Sequence, residues 1–312
     1  ANLTEAGLRL RSRHEQVVKE RLSTVKFAKW RKSVPTALAN ASEISQGRSV
    51  EGGLQGGARI ERPDAAGPAS IIAGTFPAPL IQDVVDLNKA VEALQKHPDL
   101  SIKIHPIPPK DLRLGSISDA SYANAEENRS QGSQAVIAYR QDLLEVTAPC
   151  SLLHWRSGKI QQVVNSTLAA ETRSLSTAVA QLTWYMCMIE DICNRGFELK
   201  NWRRTLQDRG AQMFIKDNAN GQLKQAICIV DAKSLFHRLT RETVGGADKR
   251  NAIEIQIIRQ NLAEINAGVR WVPRQQMVAD GLTKRSGNLT SLYQLLDTGC
   301  MQITEEASEM QQ

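Results

Sequence analysis

Four carboxylates stand far apart in the chain, each in a short stretch suited to metal-assisted hydrolysis. They are Asp119 in Ile117-Ser118-Asp119-Ala120, Glu171 after Ala169-Ala170, Asp231 in Ile229-Val230-Asp231-Ala232-Lys233-Ser234, and Asp280 in Val278-Ala279-Asp280-Gly281-Leu282-Thr283-Lys284. Carboxylates brought close together repel and raise one another's pKa unless cations neutralise them. Hard oxygen donors select Mg²⁺ or Mn²⁺ over softer metals. Two such ions roughly 3.5–4 Å apart can activate a water and stabilise the leaving oxygen of a phosphodiester. The expectation is one site that holds two ions and uses Asp119, Glu171, Asp231 and Asp280 both as ligands and as the catalytic set. Any one of these residues read alone is a helix cap or a surface acid.

The elements that must position them follow from hydrophobic periodicity. Leu112 to Ser118 reads as a strand ending at Asp119. Ala135 to Tyr139 and Cys150 to Trp155 read as two more, close enough for an antiparallel meander. A long helix is predicted over 166–194, capped by Asn165 or Ser166. Glu171 falls three residues after Leu168 and four before Leu175, on the core-facing stripe. An unpartnered carboxylate there is costly, which argues that Glu171 has a function. Ala226 to Val230 is a continuous apolar run, as in a strand buried on both faces, and Asp231 follows it directly. If this strand and that of Asp119 are parallel neighbours, their two carboxylates emerge together. Helices are predicted over about 232–241 and 251–266, a last strand over 269–272, and a short helix over 276–285 that carries Asp280.

Upstream the pattern is looser. Residues 1–33 are rich in Arg and Lys, with Leu8, Val18, Leu22 and Val25 near helical spacing. This reads as a basic helix that touches nucleic acid or is simply solvated. Residues 34–79 carry many glycines and prolines and predict a loop, with a broken helix around 43–60. A firmer helix is predicted over 80–97, ended by Pro98, and Pro106, Pro108 and Pro109 mark a domain boundary. Residues 195–225 predict an insertion loop, and 287–312 a weak helix followed by a polar tail.

Composition sets outer bounds. At 312 residues the chain has room for one large domain or two ordinary ones. A net charge of +6 suits a polyanionic partner or a merely basic protein. Five scattered cysteines without a CxxC pair point to reduced thiols and an intracellular setting, cytoplasmic or nuclear. No apolar run reaches membrane-spanning length, so no membrane partner is expected.

Taken in order, the motifs resemble the ribonuclease H domain of copia-type retrotransposon polyproteins. Ser118-Asp119-Ala120-Ser121-Tyr122-Ala123 is similar to the family's SDADWA segment. Trp155-Arg156-Ser157-Gly158-Lys159, followed by Ser166, Ala170, Glu171, Leu175 and Ser176, matches its W-K-S-x-K … S-x-x-x-A-E-x-x-x-L-S stretch. Asp231-Ala232-Lys233-Ser234 is similar to DNQS, and Trp271-Val272-Pro273 through Ala279-Asp280-Gly281-Leu282-Thr283-Lys284 to YVP … LADILTK. Arg62-Pro63-Asp64 resembles the RPD that follows the polymerase palm, yet no Tyr-x-Asp-Asp occurs. Residues 250–259 lack both histidines of the family's KHIDIRYHFIR segment.

The resemblance implies an α/β, ribonuclease H-like fold: a five-stranded mixed sheet flanked by helices, preceded by a mostly helical and irregular N-terminal segment. It implies residues 1–110 as a reverse transcriptase remnant and 111–286 as the nuclease domain. The implied substrate is an RNA/DNA hybrid with the RNA strand cut, and the implied protein partner is the polymerase part of the same polyprotein. Arg156, Lys159, Lys233, Lys284 and Arg285 lie near the motif carboxylates in sequence and are candidates for phosphate contacts, or solvated surface charges. Ser118, Ser166 and Ser234 are candidates to donate to phosphate or to orient carboxylates. Trp155, Trp271 and His154 read as structural, and His237 as surface. The alternative is a catalytically inactive module of the same fold that binds nucleic acid or packs against a polymerase.

Overall fold

The computed structural model describes residues 22–76, 78–124, 129–210, 223–241 and 248–303, together with the short strands Leu3–Thr4, Gly7–Arg9 and Ile215–Lys216. In chain order the strands are β1 (Leu3–Thr4), β2 (Gly7–Arg9), β3 (Lys103–Ile104), β4 (Leu112–Ser121), β5 (Gln131–Arg140), β6 (Ala148–Lys159), β7 (Ile215–Lys216), β8 (Leu223–Lys224), β9 (Ala226–Val230), β10 (Ala267–Trp271) and β11 (Cys300–Met301). The helices are α1 (Ala41–Ile60), α2 (Ala66–Ala73), α3 (Ile81–Lys96), α4 (Thr167–Cys193), α5 (Trp202–Gly210), α6 (Lys233–Thr240), α7 (Lys249–Glu264) and α8 (Thr290–Thr298).

The central sheet runs β10-β9-β4-β5-β6-β11. β4, β5 and β6 form the expected antiparallel meander. β9 lies parallel to β4 with Ser116 opposite Cys228 and Ile117 opposite Ile229, and β10 lies parallel to β9. The fold class is therefore α/β, with a mixed sheet flanked by helices and preceded by a mostly helical segment. The sheet has six strands rather than five, because Cys300–Met301 adds a short edge to β6 at Ala148 and Pro149.

Alternation along the strands divides the core in two. Ile117, Ala135, Ile137, Tyr139, Ile227 and Ile229 face α1, α2, α3 and α8. Leu114, Val136, Ala138, Ala226, Cys228 and Val230 face α4, α6 and α7. β9 is buried along its whole length, as its unbroken apolar run requires.

Three local expectations are corrected. Residues 41–60 form one unbroken helix, not a loop with a broken helix. Each interior glycine costs helix stability, which is what the sequence reading registered. Two features offset that cost. Asn40 accepts from the Glu43 amide at 2.9 Å while Glu43 accepts from the Asn40 amide at 2.8 Å, a reciprocal cap. A Cβ at Gly47 would sit 2.9 Å from the Phe76 ring, so the bare backbone is what lets that ring pack. The basic helix expected over 1–33 is not seen where the chain is described. Residues 7–9 are a strand, 22–28 belong to neither helix nor strand and bury Leu22 and Val25, and 29–33 form a short 3-10 turn. Val18 lies outside the described residues. The expected loop over 195–225 contains α5, anchored by fully buried Leu206.

Among the described residues no helix is long and apolar enough to cross a membrane. Cys150, Cys187 and Cys228 are buried free thiols, as expected, whereas Cys193 is exposed and Cys300 partly so. The polar tail from Thr304 lies outside the described residues.

Candidate active site

The register that places Ile117 opposite Ile229 carries both chains forward to Asp119 and Asp231. Asp119 lies within β4, two residues before its end, and Asp231 is the first residue beyond β9. The condition set by the sequence, that the two strands be parallel neighbours, is met. Glu171 arrives from α4, whose start is fixed by Ser166: its hydroxyl accepts from the Ala169 amide at 3.1 Å. Ser166 is thus a helix cap in this structure. Carboxylate oxygens of Asp119, Glu171 and Asp231 all lie within 4.8 Å of one another.

Glu171 is 5% exposed, its carboxylate accepts a hydrogen bond from the Ala120 amide, and its Oε2 has no partner among the described residues. A buried, unsatisfied carboxylate oxygen aimed at two others is what a cation ligand looks like before it is read as anything else. Burial, then the charges of Asp119 and Asp231, raise Glu171 well above the usual carboxylate range. Burial and Asp231 push Asp119 up to about 7. Asp231 is raised by burial and by Asp280.

Asp280 stands apart from this trio. It opens the 3-10 turn Asp280–Leu282 rather than riding on the expected helix. Its Oδ1 accepts from Lys284 Nζ and, at 3.3 Å, from Arg274 Nε, while its Oδ2 accepts from the Asn288 amide at 2.9 Å. Burial alone would raise its pKa, but the bonds from Lys284 and Asn288 outweigh burial and hold it below the usual value. Asp280 is close enough for its charge to raise both Asp119 and Asp231.

Several supporting contacts were not visible from sequence, because they join distant parts of the chain; Trp271 was read only as structural and Thr283 only as part of its motif. The Thr283 hydroxyl, fully buried, lies 2.6 Å from Asp119 Oδ2, where it donates. The Trp271 indole donates to the Asp231 carbonyl at 2.7 Å. Ser174 reaches the Asp119 carbonyl at 2.9 Å. The 279–283 loop is pinned by Ser133 to Ala279 O, by Ser157 to Leu282 O and by Asn124 to Thr283 O. No local pattern announces any of these.

The basic candidates divide. Arg156 and Lys159 line a polar groove of about 500 Å³, joined by Arg173 of α4. Lys233 is exposed and its ammonium sits 4.8 Å from the centre of the Trp271 ring. Ser234 is exposed beside it. Lys284 turns inward to Asp280. Arg285 is taken up by Asp83 at 2.9 Å and Asp86 at 2.8 Å on α3, an interaction sequence proximity to Asp280 did not suggest. Ser118 is buried and its hydroxyl has no partner among the described residues.

Two results should follow from this geometry. Thr283→Val removes the hydrogen bond to Asp119 without changing volume much. A bond to a charged acceptor contributes about 1.5–3 kcal/mol, so Mg²⁺ binding should weaken by roughly ten- to a hundredfold with the fold intact. An affinity equal to that of the native chain would mean that Asp119 is held by its other contacts.

The second concerns pH. Asp119, Glu171 and Asp231 all bind protons more tightly folded than unfolded, so the stability they contribute is complete in acid and lost as pH rises through the folded values. In EDTA the melting temperature should therefore fall between about pH 5 and about pH 8, and Mg²⁺ should restore it at the upper end. A melting temperature that rises across this window would contradict the clustering.

No protein-family model and no curated protein sequence matches the chain. Among solved structures it is similar to a ribonuclease H1 isolated from compost by a metagenomic approach, with a TM-score of 0.34 and 14% identity over 55% of this chain and 92% of that one. It is similar also to ribonuclease H1 of the halophilic archaeon Halobacterium salinarum, with a TM-score of 0.31 and 13% identity over 52% of this chain and 86% of the other. A third is the N-terminal ribonuclease H domain of a Mycobacterium tuberculosis protein, with a TM-score of 0.29 and 11% identity over 55% and 91% of the two chains.

Proposed function

We propose that the chain is a metal-dependent endonuclease that cuts the RNA strand of RNA/DNA hybrids, derived from a copia-type reverse transcriptase polyprotein. The observation that carries the reading is the convergence of Asp119, Glu171 and Asp231 from two parallel strands and a helix, with one Glu171 oxygen unsatisfied. The donor set is all oxygen and anionic, which fits Mg²⁺ or Mn²⁺. Two such ions, when bound, supply an activated water and a counter-charge for the leaving oxygen.

The chain's own residues do the rest. Asp119, Glu171 and Asp231 hold the inner position, and Asp280 completes the set beside it. Thr283 fixes one oxygen of Asp119 and leaves the other to the site. Trp271 fixes the backbone at Asp231. Arg156 and Lys159 in their groove, and Lys233 two residues after Asp231, carry positive charge that favours phosphates. Discrimination of RNA from DNA rests on contacts to 2′-hydroxyls, and the hybrid substrate comes from the motif resemblance.

The hold of Lys284 and Arg274 on Asp280 favours a second reading, a module of the same fold that binds nucleic acid without cutting it. Incubation of a labelled RNA/DNA hybrid with the full chain in Mg²⁺ and in EDTA, beside Asp119→Asn, separates the two. RNA-strand cleavage that needs metal and disappears in the variant supports the nuclease. A folded native chain that binds the hybrid and leaves it whole supports the module.

A further inference from the structure

Among the described residues, Lys284 is the one side chain whose positive charge acts favourably on all four acids: Asp119, Glu171, Asp231 and Asp280. It follows Asp280 by four residues, one turn onward, and its ammonium hydrogen-bonds Asp280 Oδ1. The carboxylate it holds is otherwise well fixed. Oδ2 accepts from the Asn288 amide, so its orientation depends on backbone and not on the lysine. Arg274 reaches the same Oδ1, but at 3.3 Å and from a side chain 64% exposed, where water screens it. Lys284 is 30% exposed and has a way out to solvent. A lysine is a compact charge on a flexible stem, so leaving one oxygen for water requires rotamer changes and no movement of the loop.

We propose that Lys284 is a built-in competitor for the second cation position: its ammonium occupies Asp280 Oδ1, and a divalent ion binds there only by displacing it. The inference rests on the metal-site reading above and goes beyond it in saying what limits occupancy. Oδ1 already accepts from both Lys284 and Arg274, so both of its lone pairs are engaged, and an ammonium held a few ångströms from a divalent ion is strongly repelled. Lys284 thus weakens binding of the ion that uses Asp280, while supplying counter-charge to the four acids when that ion is absent. A lysine that instead supported metal binding from the side would make affinity fall when removed, so the sign of the effect decides the matter.

The test is calorimetric titration of Mg²⁺ into the full chain at fixed pH, for the native protein, Lys284→Met, Lys284→Gln and Asp280→Asn, with Lys284→Met also made in the Asp280→Asn background. Removing the ammonium should tighten Mg²⁺ binding about tenfold, a change of about 1.4 kcal/mol, and should do nothing once Asp280 is Asn. Lys284→Gln keeps a polar partner for Asp280 and guards against loss of fold in the methionine variant. In the native chain, the NMR signal of the Lys284 Cε methylene should shift along the same Mg²⁺ isotherm. Affinity that is unchanged or weaker in both Lys284 variants overturns the inference and leaves the metal site standing. A native chain that takes up no Mg²⁺, or an Asp231→Asn chain that binds it as well as the native one, overturns the metal reading and the inference with it.

Discussion

Glu171→Gln should abolish hybrid cleavage, by roughly 10³-fold or more, while making the chain more stable in EDTA. The two halves of that result have opposite signs and one cause. Glu171 is buried, bonded at one oxygen by Ala120 and unsatisfied at the other, between Asp119 and Asp231. Without a cation its charge is a cost, and a glutamine of the same shape removes it. The amide can still accept from Ala120, and its NH₂ can donate to a neighbouring carboxylate. Loss of an electrostatic group that acts only in the transition state commonly costs about 10²–10³ in rate, and loss of a direct metal ligand should reach or exceed the top of that range. Cleavage kinetics and thermal melts on the same two proteins check both halves. Undiminished cleavage would remove Glu171 from the metal site. A lower melting temperature in EDTA would mean that its charge is compensated in a way the present contacts do not include.

Arg62→Ala should cost about 3–5 kcal/mol of stability, the range for a buried ion pair broken on one side. Arg62 and Asp64 form a two-pronged pair at 2.9 and 2.7 Å, with side chains 4% and 1% exposed. The guanidinium also reaches the Leu94 carbonyl at 3.5 Å, tying the start of α2 to the end of α3. Truncating the arginine leaves Asp64 charged and buried. Lysine cannot reproduce the fork, so Arg62→Lys should recover only part of the loss. The double variant Arg62→Ala, Asp64→Ala should be more stable than Arg62→Ala alone, because no charge is stranded. Urea unfolding of the native chain and the three variants measures this, and an Arg62→Ala chain within about 1 kcal/mol of the native one would show the pair to be dispensable.

The same Arg-Pro-Asp segment illustrates what the sequence could and could not say. As a motif it was noticed for its resemblance to an upstream polymerase junction, and its structural work was invisible. Glu171 was legible because a charged residue interrupts an apolar stripe of period 3.6, a conflict visible in one dimension. Asp231 was legible because it ends a run of five apolar residues. Asp119 was legible only as half of a conditional statement, since nothing local says which strands pair. The contacts of Thr283, Trp271 and Ser174 were silent, because a threonine near a loop aspartate looks the same whether it faces Asp119 or water. The glycine-rich helix Ala41–Ile60 was misread for a related reason: propensity counts the cost of each glycine, but the ring of Phe76 that occupies the freed space is 29 residues away from Gly47. Arg285 was placed by its nearness in sequence to Asp280, and its partners are on α3.

The parallel pairing of β4 with β9 also governs when the site can exist. The Ser116 hydroxyl and Cys228 thiol that meet across these strands are 112 positions apart, and Thr283 and Asp119 are 164 apart. Loops of that length close late, after the local helices and the β4–β5–β6 hairpins have formed. A nascent chain from which Thr283 has not yet emerged carries Asp119 and Glu171 but lacks the loop that orients Asp119. On this topology the clustered carboxylates are made before the loop that orients Asp119, so the arrangement forms only once two distant strands and that loop have met.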